Sequence, residues 1–263
     1  MNYETLTFER DGSVAVITLN RPDAANSLNV PMSEELVKVA THCDSNPDIR
    51  AVVLTATGKM FCAGGDLRSF AAQGDGMAEY MRYATAGLHA AISRFARMNA
   101  PYLVAVNGMA AGAGFSIAIT GDLVFAAESA KFTEAYTKVG VSPDGSSTWF
   151  LPRLVGAQKA KRLIFLNDVL TAEQALEWGL VTEVVADDKL MERTLACAHE
   201  LAAGPTWAYG EAKRLIADTF SNTLETQMEL ETRAISGLAA YSEDAKTGIH
   251  GFANKQKFEF KGR

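Results

Sequence analysis

Apolar, strand-length runs that alternate with helix-length segments constrain this chain more than any other feature of its sequence. Residues 51–55, 102–106 and 123–126 are short apolar runs, while 5–8 and 14–19 are β-rich runs separated by Asp11-Gly12, a hairpin signal. Residues 31–39, 77–98, 112–120, 157–166, 172–178 and 187–203 read as helices, with Ser33 a candidate cap for the first and Pro101 lying beyond the second. Strands that are apolar on both faces need cover on both. The alternation therefore predicts an α/β fold, with helices packed on mainly parallel strands. Gly204-Pro205 breaks the last of these helices, and strand signals stop from Thr206 onward. The chain divides there into a core over 1–203 and a segment over 204–263 that reads as two or three helices with a charged tail. About 60 residues make a poor core by themselves, so the segment should pack on the main domain or on another subunit.

Hydrophobic residues make up 48% of the 263 and charged residues 21%, enough to bury a core without a metal or disulfide staple. The three cysteines, Cys43, Cys62 and Cys197, show neither C-x-x-C nor Cys/His metal spacing. That pattern predicts reduced thiols, a cytoplasmic setting and no metal site. The N-terminus is polar and acidic, unlike a signal or transit peptide, and no apolar run is long enough to span a bilayer. A formal charge of −6 without a basic run argues against nucleic acid as a partner.

Two glycine-rich places follow apolar runs. Phe61-Cys62-Ala63-Gly64-Gly65-Asp66-Leu67 comes after 51–55, and Asn107-Gly108-Met109-Ala110-Ala111-Gly112-Ala113-Gly114 directly follows 102–106 and opens a helix. Small residues let a ligand approach the backbone, and N–H groups at a helix start are unpaired and partly positive. Two such loops could supply two donors to one developing oxyanion. The same glycines also suit tight turns and close helix–strand packing, so spacing alone leaves both readings open. The run is not a dinucleotide fingerprint, because Ile117 stands where a third small residue is needed.

These pieces, taken in order, resemble the crotonase (enoyl-CoA hydratase/isomerase) superfamily. The likeness rests on Asn20-Arg21-Pro22, Asn26-Ser27-Leu28, the two glycine-rich runs, Gly121-Asp122, Ala130-Lys131-Phe132 and the stretch from Pro143 to Arg153. It is nearest to 1,2-epoxyphenylacetyl-CoA isomerase-like members, through Glu177-Trp178-Gly179, Gly204-Pro205-Thr206 and the stretch from Asn222 to Gly262. The resemblance implies a spiral of repeated β-β-α units (ClpP-like), a helical C-terminal oligomerisation segment, and a homotrimer or a dimer of trimers. It implies an acyl-CoA thioester as substrate, with CoA arriving as part of it and no other cofactor.

The resemblance also assigns roles. The thioester oxygen would sit between the N–H groups of Gly65 and Ala113. Ser116 and Tyr136 occupy the positions where the family's hydratases carry two glutamates, so hydration by the usual route is not expected. Asp144 falls where some family isomerases place a single acid/base and where the 4-chlorobenzoyl-CoA dehalogenase places its nucleophile. Read without the family, Pro143-Asp144-Gly145-Ser146-Ser147 is turn chemistry before a helix, and a capping role for Asp144 is then favoured over a catalytic one. His89 matches a histidine of the dehalogenase, although a lone helical histidine more often packs or faces solvent. Asp66 suits a cap, and Cys62, lacking an evident histidine partner, suits packing. The CoA moiety should lie near Ala24, Ala25 and Ala63, beside Asp66 and Leu67, with Phe252, Lys255 and Lys257 reaching it from the C-terminal segment. The acyl pocket is expected near residues 70–83. Isomerisation of an unsaturated or ring-epoxide acyl-CoA through a stabilised enolate is the expected activity. The alternatives are a hydratase, a dehalogenase or thioesterase using Asp144 as nucleophile, and a non-catalytic acyl-CoA- or RNA-binding member.

Overall fold

In the computed structural model, which describes residues 3–263, Gly12 takes a φ of 60° and reverses the chain between β1 (Leu6–Asp11) and β2 (Val14–Leu19). The two pair antiparallel with Leu6 opposite Leu19, as Asp11-Gly12 predicts, though β1 starts and ends later than 5–8. After α1 (Val30–Ser45) the chain makes successive β-β-α turns. The first is β3 (Ala51–Ala56), β4 (Met60–Cys62), α2 (Leu67–Ala71) and α3 (Met77–Arg97). The second is β5 (Tyr102–Val106), β6 (Met109–Ala111) and α4 (Ala113–Ala118). The third is β7 (Leu123–Ala127), β8 (Lys131–Thr133) and α5 (Ser147–Leu166). A last turn adds β9 (Leu170–Thr171), α6 (Ala172–Glu177), β10 (Glu183–Val185) and α7 (Leu190–Ala202).

The leading strands build a six-stranded sheet in the order β1-β2-β3-β5-β7-β10, parallel beyond the hairpin. The second strands build a smaller sheet, β4-β6-β8-β9, parallel from β4 to β8. This is the expected spiral. The residues of β3 and β5 are buried throughout, as strands covered on both faces must be.

Several helix boundaries differ from expectation, α1 running past 39 to Ser45 and α7 beginning at Leu190, and three differences have clear local reasons. Asn29, not Ser33, caps α1: its extended backbone lets Oδ1 accept the Met32 N–H at 3.0 Å, while Ser33 is buried inside the helix and donates to the Val30 carbonyl. Helix α4 is shorter than 112–120, because Gly112 at φ 52° and ψ −125° cannot be helical. Helix α5 is longer than 157–166 and joins two stretches across Gly156, whose φ is 79°.

The segment after Gly204-Pro205 forms three helices, α8 (Thr206–Asp218), α9 (Leu224–Tyr241) and α10 (Glu243–Ala253). Its tail is not free. Buried Asp244 accepts the N–H groups of Lys261 and Gly262 at 2.6 and 2.7 Å, and Arg50 donates to the carbonyls of Gly204 and Phe260. Helix α8 is tied to the core by Lys213, whose Nζ lies 2.7 Å from Asp122 Oδ2 and also donates to the carbonyls of Phe95 and Ala100. Burial raises the Asp122 carboxyl and lowers the Lys213 ammonium, each opposed by the other's charge. Removing one partner strands the other. Lys213→Met is therefore expected to lower unfolding stability by about 3 kcal/mol in urea titrations, and Lys213→Met/Asp122→Asn to recover part of the loss.

Candidate active site

Strands β4 and β6 are parallel neighbours, so the two glycine-rich loops leave the same edge of the small sheet side by side. Their backbones touch. A Cβ on Gly64 would lie 3.0 Å from the Ala111 carbonyl oxygen and 3.4 Å from the Ala113 nitrogen. One on Gly114 would fall 2.2 Å from the Cys62 carbonyl oxygen. Only residues without a side chain allow this approach. Ala113 is the first residue of α4, where no intrahelical acceptor exists for its N–H. Gly65 bridges Leu28 through its neighbours: Leu28 N–H donates to the Gly64 carbonyl at 2.7 Å and Asp66 N–H to the Leu28 carbonyl at 2.8 Å. Among the described residues, neither the Gly65 nor the Ala113 N–H donates to a protein group.

The first loop is braced by the segment that follows β2. Ala63 N–H donates to the Ala25 carbonyl at 3.0 Å, which brings Ala24, Ala25 and Ala63 to one place. Ala25 and Asn26 both adopt left-handed conformations, and the buried Asn26 amide donates to the carbonyls of Thr57 and Met60. Asp66 caps α2 by accepting the Ser69 N–H, and it pairs with Arg21 at 3.1 Å. Burial opposes its ionisation, but those two partners hold its carboxyl below the usual range. Leu67 opens α2 and is exposed. Phe70 stands against Gly65 and meets Tyr80 edge-on, so residues at the start of the 70–83 stretch do border this loop. Burial pushes the Cys62 thiol up to about 11, which fits packing and not nucleophilic chemistry.

The second half of the site is polar. Ser116, fully buried, donates to the Asp144 carbonyl at 2.9 Å and lies 3.0 Å from the Tyr136 hydroxyl. Tyr136 donates to Asp144 Oδ1 at 2.5 Å. Burial and the neighbouring Asp144 charge push the Tyr136 phenol up, so it stays protonated as a donor. The side chain of Asp144 does not cap α5, whose N-cap residue Ser146 is left-handed and makes no side-chain cap. Instead the carboxylate, about a quarter exposed, faces His89 at 3.9 Å, while His89 Nε2 accepts the Gly145 N–H at 3.2 Å. Ser116 and Tyr136, which the resemblance sets at the hydratases' glutamate positions, are thus joined to one another and to Asp144. Beyond Asp144, His89 and Gly145 opens a cavity of about 1030 Å³, lined mainly by apolar side chains such as Trp149, Phe150 and Ile216; neither Gly65 nor Ala113 lines it.

Two residues expected at the CoA site from the C-terminal segment lie apart from the glycine loops of their own chain. Phe252 and Lys255, at the end of α10, are exposed and make no hydrogen bond or ion pair with the glycine loops among the described residues. Glu134, which the sequence reading passes over, is fully buried immediately after β8. No local sequence signal marks it, since the strand before it is the mixed run Lys131-Phe132-Thr133.

No helix among the described residues is long and apolar enough to cross a membrane. The family model for enoyl-CoA hydratase/isomerase matches residues 9–263. A 1,2-epoxyphenylacetyl-CoA isomerase from Escherichia coli K12 is 39% identical over 251 residues, 95% of each chain. A probable enoyl-CoA hydratase from Rhodobacter capsulatus is 38% identical over the whole of both chains. Among solved structures, an enoyl-CoA hydratase from Polaromonas sp. JS666 superposes with a TM-score of 0.91 at 31% identity, covering 97% of this chain and 99% of that one. With this match along nearly its full length, and the spiral and paired glycine loops already described, the chain belongs to the enoyl-CoA hydratase/isomerase family.

Proposed function

We propose that this protein is an acyl-CoA isomerase that moves a double bond, or opens a ring epoxide, through an enolate held by two main-chain amides. The observation that carries the reading is Asp144: a partly exposed carboxylate, positioned by Tyr136 and Ser116, stands where hydratase chemistry would need two others. The thioester oxygen would accept from the N–H groups of Gly65 and Ala113. Negative charge grows on that oxygen as the proton leaves, so the two donors bind the transition state more strongly than the substrate. Asp144 would take the proton from one carbon and return it to another; the proton is conserved and no other reactant is consumed. The acyl group would point from the glycine loops toward Asp144 and the apolar cavity beyond it. The CoA portion would run past Ala24, Ala25 and Ala63, beside Asp66 and Leu67. A trimer or a dimer of trimers is part of the reading. It is supported by α9, which buries none of its residues although Leu224, Ile235 and Tyr241 are apolar and exposed. In such an assembly Phe252, Lys255 and Lys257 would approach the CoA site of a neighbouring copy.

Four measurements test this. Asp144→Asn should slow solvent deuterium exchange into an acyl-CoA panel by about 10²–10⁴-fold, the usual size of an acid/base contribution; unchanged exchange removes Asp144 from the mechanism. Ala113→Pro deletes one N–H at a first helical position, where proline is tolerated, and should lower kcat by about 10²–10³-fold. A variant that folds and keeps its full rate would refute the oxyanion role. Mass photometry should show three or six copies; a monomer would overturn the assembly. Hydration of crotonyl-CoA at a rate matching the isomerisation would instead favour the hydratase reading.

A further inference from the structure

Glu134 is fully buried, and neither of its carboxyl oxygens has a hydrogen-bond partner among the described residues. It is held close to both halves of the site. Its carbonyl accepts the Tyr136 N–H at 2.7 Å around Ala135, which is left-handed at φ 56°, and a Cβ on Gly112 would lie 3.8 Å from that same carbonyl oxygen. The titratable groups that bear on its side chain are Asp144, from the loop before α5, and Tyr136, from the turn after β8. His89, from α3, stands against Asp144 in turn. Ser147 Oγ, at the start of α5, is near enough to favour the ionised carboxylate, yet the contact is one of proximity and not an aligned hydrogen bond. No ion pair engages Glu134 among the described residues. An unpaired carboxyl is costly to bury, and such groups gather at functional sites.

We infer that Glu134 is a positioning residue for the acid/base step: its carboxyl, buried and unpaired beside the Tyr136–Asp144 hydrogen bond, sets by its charge how fast Asp144 acts on the substrate. This rests on the acid/base reading of Asp144. Burial pushes the Glu134 carboxyl up to about 7, with the Asp144 charge adding to the rise and Ser147 opposing it. Below that pH Glu134 is neutral. Above it, a second negative charge repels the Asp144 carboxylate, and transfer of the substrate proton relieves that repulsion, so abstraction quickens. The coupling is reciprocal: removing the Asp144 charge lets Glu134 ionise at lower pH.

The test uses the full-length protein in two arms. Solvent deuterium exchange into an acyl-CoA should rise roughly threefold through about pH 7 in the wild type and lack that rise in Glu134→Gln. A profile in Glu134→Gln that keeps the rise overturns the inference. Infrared titration of the protonated carboxyl band, assigned by its loss in Glu134→Gln, should shift to lower pH in Asp144→Asn; an unmoved midpoint also overturns it. If Glu134→Gln does not fold, the band is assigned instead by carbon-13 labelling of the glutamate carboxyls, which separates it from Asp144, and the infrared arm then stands alone. Folding is expected, because the native carboxyl costs stability as pH rises from the unfolded value near 4.5 through about 7, and the amide removes that cost. Retained exchange in Asp144→Asn would refute the acid/base reading itself, whereas the infrared shift reports the Glu134–Asp144 coupling separately.

Discussion

The close approach of two backbones, Gly64 to the Ala111–Ala113 segment, is the constraint on which the rest of this site depends. Parallel pairing fixes neighbouring strands about 4.8 Å apart, so the ends of β4 and β6 must emerge together. What happens next is decided by the absence of side chains. A methyl group on Gly114 would penetrate the Cys62 carbonyl, and one on Gly64 would press on the Ala111 carbonyl. Backbone cannot rotate out of the way as a flexible side chain can. The two loops can therefore share one edge only with glycine at these positions, and that edge is where two unpaired amides lie near one another.

The same logic repeats on the polar side. A Cβ on Gly145 would come within 2.8 Å of the Ser116 Cβ, so glycine there lets the Asp144 loop settle onto α4. Settled, the loop places the Asp144 carbonyl on Ser116 and its carboxylate on Tyr136. Two hydroxyl-bearing side chains do what carboxylates at the same places could not. They donate to Asp144 without adding charge beside it, so a single carboxylate is oriented and left partly open to the cavity.

Much of this was legible in the sequence, for reasons that can be traced. The apolar run at 102–106 gave its strand because a buried strand leaves a run with no polar face, and the β-rich run at 14–19 gave its strand through its branched residues. The glycines were legible as loops, and the family likeness supplied the pairing that periodicity cannot, since strands joined by a helical crossover carry no local mark of their neighbour. The α1 cap was misplaced because Ser33 and Asn29 are both good capping types, and the backbone at Asn29, extended just ahead of Pro31, decides between them. Glu134 was illegible for a different reason. A strand of three residues is too short to show which face its successor joins, so nothing local distinguishes a buried carboxylate from a solvated one. The pinning of the tail by Asp244 was hidden too, because its partners are main-chain amides seventeen and eighteen residues away.

The division of the chain at Gly204-Pro205 describes its local structure better than its site. Helix α8 lies beyond that break, yet Lys213 and Ile216 line the same cavity as Asp144 and His89. Lys213 reaches that position through Asp122, whose Oδ2 also accepts the Tyr102 N–H at the start of β5. One buried carboxylate thus joins the first residue of a central strand to a helix of the last segment. A buried pair of this kind adds little net stability over apolar packing, but it is costly to break and it tolerates few alternative arrangements. It holds α8 in one place against the core, and with α8 the wall of the cavity that Asp144 faces.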